Sequence, residues 1–332
     1  MAIKDTEYLY ASSNIRAIEG PESYSERLRR FLECKSVGEL YSQLTGGETD
    51  PGAVGDVKER IEKMLDDRLC SSVSLVMKIV PDRKLYNFLL YEYDCCNLKT
   101  AIKCAIMGIQ CNDRLYDCGT VPADKISRDV PEGKYDIFPK NMALFAPRAR
   151  ETYEKTKDPS VIDTILDRAC FDDMLENVNE YGCTKFISLV RARIDRVNIM
   201  TFIRISKSDI ADKQRALDEA LVDGGTVSKS SLLGKLDGYD GNIDAILAAT
   251  PYQRALSSLS QEAGLSEIEK ALDDIYLSLV KDMKFVSFGA EIPCAYLINT
   301  SYEIKNIRII LAGIASSLPQ EKIRERVRFG YV

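Results

Sequence analysis

YDCCNLKTAIK, residues 93–103, decides how this chain is read. An acid, Asp94, stands three residues before Asn97, and apolar residues follow at Leu98, Ala101, Ile102 and Ala105, the spacing of one helical face. The same phrase returns as IDRVNIMTFIR (194–204), with Asp195 and Asn198, and as YEIKNIRIILA (302–312), with Glu303 and Asn306. The intervals between the Asn residues are 101 and 108. Upstream of each lies a Leu-Asp pair, Leu65-Asp66, Leu166-Asp167 and Leu272-Asp273, whose Asp precedes the Asn by 31, 31 and 33 residues. Downstream, GTVPADKI (119–126) is echoed by SSLPQEKI (316–323) and, without its Pro, by GTVSKSSL (225–232).

Two anchors at nearly constant separation, three times over, imply a triplicated unit of roughly 100 residues, an ordinary domain size and too long a period for a solenoid. The copies are expected over 1–121, 122–226 and 227–332, each a helical bundle, in a pseudo-threefold arrangement. The rest of the chain reads as helix. Apolar residues fall at helical spacing over 24–44, 57–79 and 266–283. Ser266 with Glu269 has the form of a capping box, and Asp158-Pro159 that of a helix start. Loops rich in Gly, Asp and Pro are expected at 45–56, 129–139 and 236–242. The expected fold class is all-α.

Each acid–Asn phrase is read as opening an amphipathic helix, with the two polar side chains on one face. The Asn amide can donate to the carboxylate and to a nearby carbonyl. Such a pair can form a ligand or ion site, or a polar brace between helices. We read Asp94, Asn97, Asp195, Asn198, Glu303 and Asn306 as structural braces. A catalytic constellation need not recur in every copy, whereas a packing device must recur wherever the same bundle is built.

Composition narrows the function classes. The 332 residues carry 45 Lys and Arg against 51 Asp and Glu, a net charge of −6, which is unlike the basic surface of a dedicated nucleic-acid binder. There is no histidine, so Ser-His-Asp and Cys-His catalysis are excluded and the commonest zinc ligand is missing. Ten cysteines are scattered without paired C-x-x-C spacing, and MAIKDTEYLYASS lacks the apolar core of a secretory signal; reduced, mostly buried thiols are expected. The longest apolar candidate, IRIILAGIA (307–315), contains Arg308 and is far shorter than the roughly 18 residues needed to span a bilayer. GGTVSKSS (224–231) fails the phosphate-loop pattern, with Asp223 and Ser228 at the wrong places. No catalytic residue, metal or cofactor is expected. At the C-terminus Lys322, Arg324, Arg326 and Arg328 follow Glu321 along one expected helix; they are candidates for contact with an acidic partner or anionic headgroups.

NLKTAIK after an acid, the ending YEIKNIRIILAGIASSLPQEKIRERVR and the N-terminal YLYASSNIRAIE resemble the C subunit of archaeal and bacterial V-type (A/V-type) ATP synthases, whose eukaryotic relative is the d subunit of the vacuolar ATPase. The resemblance is strongest over 302–332 and 91–103. The middle copy departs from it, with Met200 where Lys99 and Arg308 stand. What the resemblance implies is an all-helical, three-lobed, funnel-like protein that is not itself an enzyme. It would cap the membrane rotor ring of proteolipid subunits from the cytoplasmic side, as a peripheral protein. It would receive the tip of the central shaft of the soluble head and couple proton or sodium transport to ATP turnover. The alternative is a helical adaptor unrelated to any rotor, holding partner helices in its grooves.

Overall fold

The computed structural model describes residues 4–19, 24–49, 52–239, 241, 246–248, 250–256, 259 and 264–328, and every regular element among them is a helix. After a 3-10 turn at Asp5–Tyr8 come α1 (Leu9–Glu19), α2 (Tyr24–Glu33), α3 (Val37–Thr45) and the long α4 (Val54–Ile79). A second 3-10 turn, Lys84–Tyr86, leads into α5 (Asn87–Met107). A third, Asn112–Arg114, precedes α6 (Ala123–Asp129), α7 (Lys140–Thr156), α8 (Ser160–Tyr181) and α9 (Thr184–Ser206). The short α10 (Lys213–Ala220), α11 (Lys229–Leu233) and α12 (Gln253–Leu256) follow, then α13 (Leu265–Lys284), α14 (Glu291–Ala315) and α15 (Gln320–Arg326).

Local chemistry sets the boundaries, sometimes against the periodicity. The expected single helix over 24–44 is two helices. Ser36 Oγ accepts from Glu39 N, and the Glu39 carboxylate reaches back to Lys35 N at 2.7 Å, so a reciprocal cap starts α3. The cap expected at Ser266 lies two residues earlier: Gly264 N donates to Glu267 Oε2 at 2.8 Å and α13 begins at Leu265. Asp158 does start a helix, its carboxylate taking Ser160 N and Oγ at 2.9 and 2.7 Å. α5 closes on Gly108 in the left-handed region, with Ile109 N bonded to Cys104 O.

Two compact bodies result. One is built from Asp82–Ser257, the other from Lys4–Pro81 together with Ser258–Val332. In the first, α8 is packed among α5, α7 and α9. Phe88 and Phe186 meet at 5.3 Å between ring centres in its core. Asn177 on α8 holds the turn before α5, accepting from Phe88 N and donating to Lys84 O, and Asp173 caps α7 through Asn141 N and Met142 N. In the second body α14 is the central helix, packed by α1, α2, α3, α4, α13 and α15. Ile304, Ile307, Ile310 and Leu311 of α14 are buried there, as are Ile61, Leu65 and Leu69 of α4. α8 packs on α5 within the first body, and α4 on α14 within the second.

Candidate functional site

The repeated acid–Asn phrase sits in the middle of α5, α9 and α14 rather than at their starts. These helices are buried on several sides, so the apolar residues upstream of each phrase show no single stripe and the phrase alone looks like a beginning. The Asn side chains are buried. Asn97 Oδ1 accepts from Tyr116 N at 2.8 Å and its Nδ2 donates to Tyr116 O at 2.7 Å. Asn198 does the same to Val222, at 2.9 and 2.8 Å, and Asn306 to Arg328, at 3.0 and 2.7 Å. In each case one carboxamide thus replaces a peptide partner for one downstream residue; Val222 and Arg328 are buried, and their donor and acceptor would otherwise be unmatched. The Asn side chains address loop backbone.

Asp94 accepts from Thr120 N, Thr120 Oγ1 and Val121 N. Asp195 accepts from Val227 N at 2.8 Å and from the Tyr252 hydroxyl at 2.8 Å. The loop lies so close that a Cβ on Gly119 would fall on Asp94 Oδ1, and one on Gly225 on Asp195 Oδ1. This is the physical reason a Gly recurs at both places. The third copy has Ser316 instead, and its acid is used differently. Glu303, only 2% exposed, takes Arg68 Nη2 at 2.6 Å and Arg27 Nε at 3.2 Å. These guanidinia come from α4 and α2, so the node joins the N-terminal segment to α14.

A second recurrence lies two residues beyond the Asn. Lys99 Nζ pairs with Asp167 at 2.7 Å, and Lys103 Nζ with Asp163 at 2.6 Å. In the other body Arg308 bridges Asp66 at 2.6 Å and Glu62 at 2.8 Å. Both sets join a motif helix to an acid pair four residues apart on a facing helix. The acids are half-exposed, so these pairs set register more than they stabilise. The third such pair, Glu269 and Asp273, shows where sequence reasoning stopped short. Asp273 is fully buried and receives Arg328 Nε at 2.9 Å, Lys305 Nζ at 3.1 Å and the Tyr302 hydroxyl at 2.9 Å. The acid at i−4 in all three Leu-Asp helices was the available signal.

Of the four C-terminal basic residues, Lys322, Arg324 and Arg326 are exposed on α15. Arg328 lies beyond the end of that helix, 5% exposed, and is turned inward onto Asp273. It therefore offers no surface for a partner or headgroup. The reason is its main chain: Asn306 draws residue 328 into the core, and the guanidinium finds a carboxylate there.

Two expected results arise here. Asn198→Ala leaves the N–H and C=O of Val222 unmatched inside the protein and should cost about 1–3 kcal/mol in urea or thermal unfolding; an unchanged midpoint would show the clamp to be idle. Asp94 gives a pH signature. Burial pushes its carboxyl up to about 6 against the three hydrogen bonds that favour ionisation. Because the folded pKa lies above the unfolded one, this group's stabilising contribution is fully present below the unfolded carboxylate range. It is lost as pH rises through about 6. Relative to Asp94→Asn, the native chain should gain on the order of 3 kcal/mol as pH falls from about 7 to about 4. Parallel pH–stability curves for the two proteins would contradict it.

All ten cysteines stand as thiols. Cys95, Cys104, Cys111 and Cys118 are buried in the first body as small apolar groups. Among the described residues no cluster of three or more His, Cys, Asp or Glu is arranged to hold a metal ion, and no helix is long and apolar enough to cross a membrane. What recurs is a scaffold of buried polar clamps. The family model of the ATP synthase (C/AC39) subunit matches residues 12–326. The chain belongs to that family. The C subunit of the A-type ATP synthase of Desulfurococcus sp. (strain SY) is 26% identical over 339 residues, covering 97% of this chain and 91% of that protein. That of Thermococcus kodakarensis is 23% identical over 336 residues, covering 98% and 91%. The C subunit of the V-type sodium ATPase of Enterococcus hirae is 23% identical over 330 residues, covering 98% and 99%. As a member of the C/AC39 family the chain is an accessory, non-catalytic part of an ATP synthase, which agrees with polar groups arranged to hold backbone.

Proposed function

We propose that this protein is a central-rotor component coupling the central shaft of the soluble head to the membrane rotor ring during proton or sodium transport. Its copies 1–121, 122–226 and 227–332 would be set about a pseudo-threefold axis, on the cytoplasmic side of the membrane. The observation that carries the reading is the same Asn-to-backbone clamp in each copy of a C/AC39 chain. A torque coupler needs stiffness, and a carboxamide buried on a neighbouring backbone supplies it without a reactive group. Lys322, Arg324 and Arg326 are the candidate contacts with ring loops or headgroups.

The test is sedimentation of the purified chain with ring-containing membranes, with and without shaft subunits, across a salt series. Association should weaken with salt, since exposed charges are screened beyond roughly 8 Å at physiological ionic strength. Lys322→Glu with Arg324→Glu should weaken it further. Failure to associate at any salt, shaft present or absent, favours the adaptor reading instead.

A further inference from the structure

The connection between α13 and α14 leaves apolar surface in water. Phe285 is 76% exposed and Phe288 36% exposed, on one short loop. The corresponding connection of the first copy, between α4 and α5, behaves oppositely: its Val80, Leu85 and Tyr86 are all buried. The loop is not loose. Ser12 on α1 exchanges hydrogen bonds with Gly289, its Oγ donating to Gly289 O and accepting from Gly289 N, and Arg16 Nη2 donates to Val286 O. The two Phe rings are therefore carried on a backbone tied down at both ends. Leu9, one turn before Ser12 on α1, is also exposed.

Charge surrounds this patch in an ordered way. Lys281 and Lys284 lie three residues apart, on one face of the last turn of α13, and both are exposed. Arg16, exposed on α1, adds a third cation beside the loop. Asp282 is about 100° further round the helix than Lys281. Asp5 and Glu291 place their carboxylates against Gly289, on the Phe288 side of the loop. Aromatic side chains projecting past a rim of Lys and Arg fit the boundary between anionic headgroups and acyl chains, where the rings are buried and the cations meet phosphate.

We infer that the Phe285–Phe288 loop, with Lys281, Lys284 and Arg16, is a lipid-insertion site that seats this protein on an anionic bilayer surface. It does not depend on ring or shaft binding. The chain contains no tryptophan, so Phe285→Trp introduces a single reporter at the tip of the loop. The full chain is mixed with protein-free vesicles of phosphatidylcholine, alone or with phosphatidylglycerol. The native chain should sediment with the anionic vesicles, and the emission of the Phe285→Trp protein should shift to the blue on their addition. Phe285→Ser with Phe288→Ser should lower vesicle affinity at least about tenfold, given the apolar area removed. Lys281→Gln with Lys284→Gln should lower it for anionic vesicles alone. Because both rings are exposed, unchanged helix content and melting are expected and serve as the folding control. No sedimentation of the native chain with anionic vesicles, an unshifted emission, or equal binding by the double Ser variant overturns the inference. Association with ring-containing membranes but not with protein-free vesicles also overturns it, and would assign the loop to a protein surface while leaving the rotor reading intact.

Discussion

Asp273→Ala should cost about 3–5 kcal/mol, the range for stranding a buried charge by removing its partner. Asp273 is fully buried, and its loss takes from the Arg328 guanidinium the carboxylate that offsets its charge, leaving the Arg326 carbonyl at 2.7 Å to hold it inside the protein. Arg328 cannot simply swing out, because its backbone is held at both N–H and C=O by Asn306. The two nodes therefore fail together. Arg328→Met should cost less than Asp273→Ala, since Lys305 and Tyr302 still satisfy the carboxylate. Asp273→Leu with Arg328→Met should recover much of the loss, because replacing a whole buried pair by apolar groups is often close to neutral. A double-mutant cycle of Asp273→Leu, Arg328→Met and the pair, in urea, measures this. Simple additivity of the single losses would refute the coupling of Asp273 to Arg328.

The all-helical class and the recurrent phrase were legible in the sequence because both depend on local spacing. The position of the phrase within its helix was not. Residues such as Phe88, Leu89 and Leu90 ahead of Asp94 are buried from several directions, and a helix with no polar face has no period to read. The break between α2 and α3 is written in Ser36 and Glu39, yet an apolar pattern that runs straight across it outweighs two polar residues. Asn97, Asn198 and Asn306 can be picked out, but their targets lie 19, 24 and 22 residues downstream, in loops whose lengths differ. Gly119 and Gly225 can be aligned without knowing that a carboxylate occupies the space of the missing Cβ. Arg328 carries the plainest lesson: a basic residue in a basic run reads as surface, and the carboxylate that draws it inward lies 55 positions away.

Removing both Arg27 and Arg68 is expected to damage the second body more than removing the acid they share. Glu303 is 2% exposed, while the side chains of Arg27 and Arg68 are 27% and 40% exposed. Without its cations the carboxylate stays buried and uncompensated, at a cost of about 3–5 kcal/mol or a forced protonation. Without the carboxylate, as in Glu303→Gln, the guanidinia can turn to water, and about 1–2 kcal/mol is expected, near the worth of a charged hydrogen bond. The asymmetry follows from the difference in burial. It also has a place in the chain. Arg27 sits on α2, Arg68 on α4 and Glu303 on α14, so this node holds the N-terminal segment to α14 across more than 230 positions. Arg27→Ala with Arg68→Ala should therefore expose the N-terminal helices to limited proteolysis well before the body built from Asp82–Ser257 is cut. Equal destabilisation by the double variant and by Glu303→Gln, or cleavage beginning in α8, would show that the Glu303 node does not hold the two chain segments together.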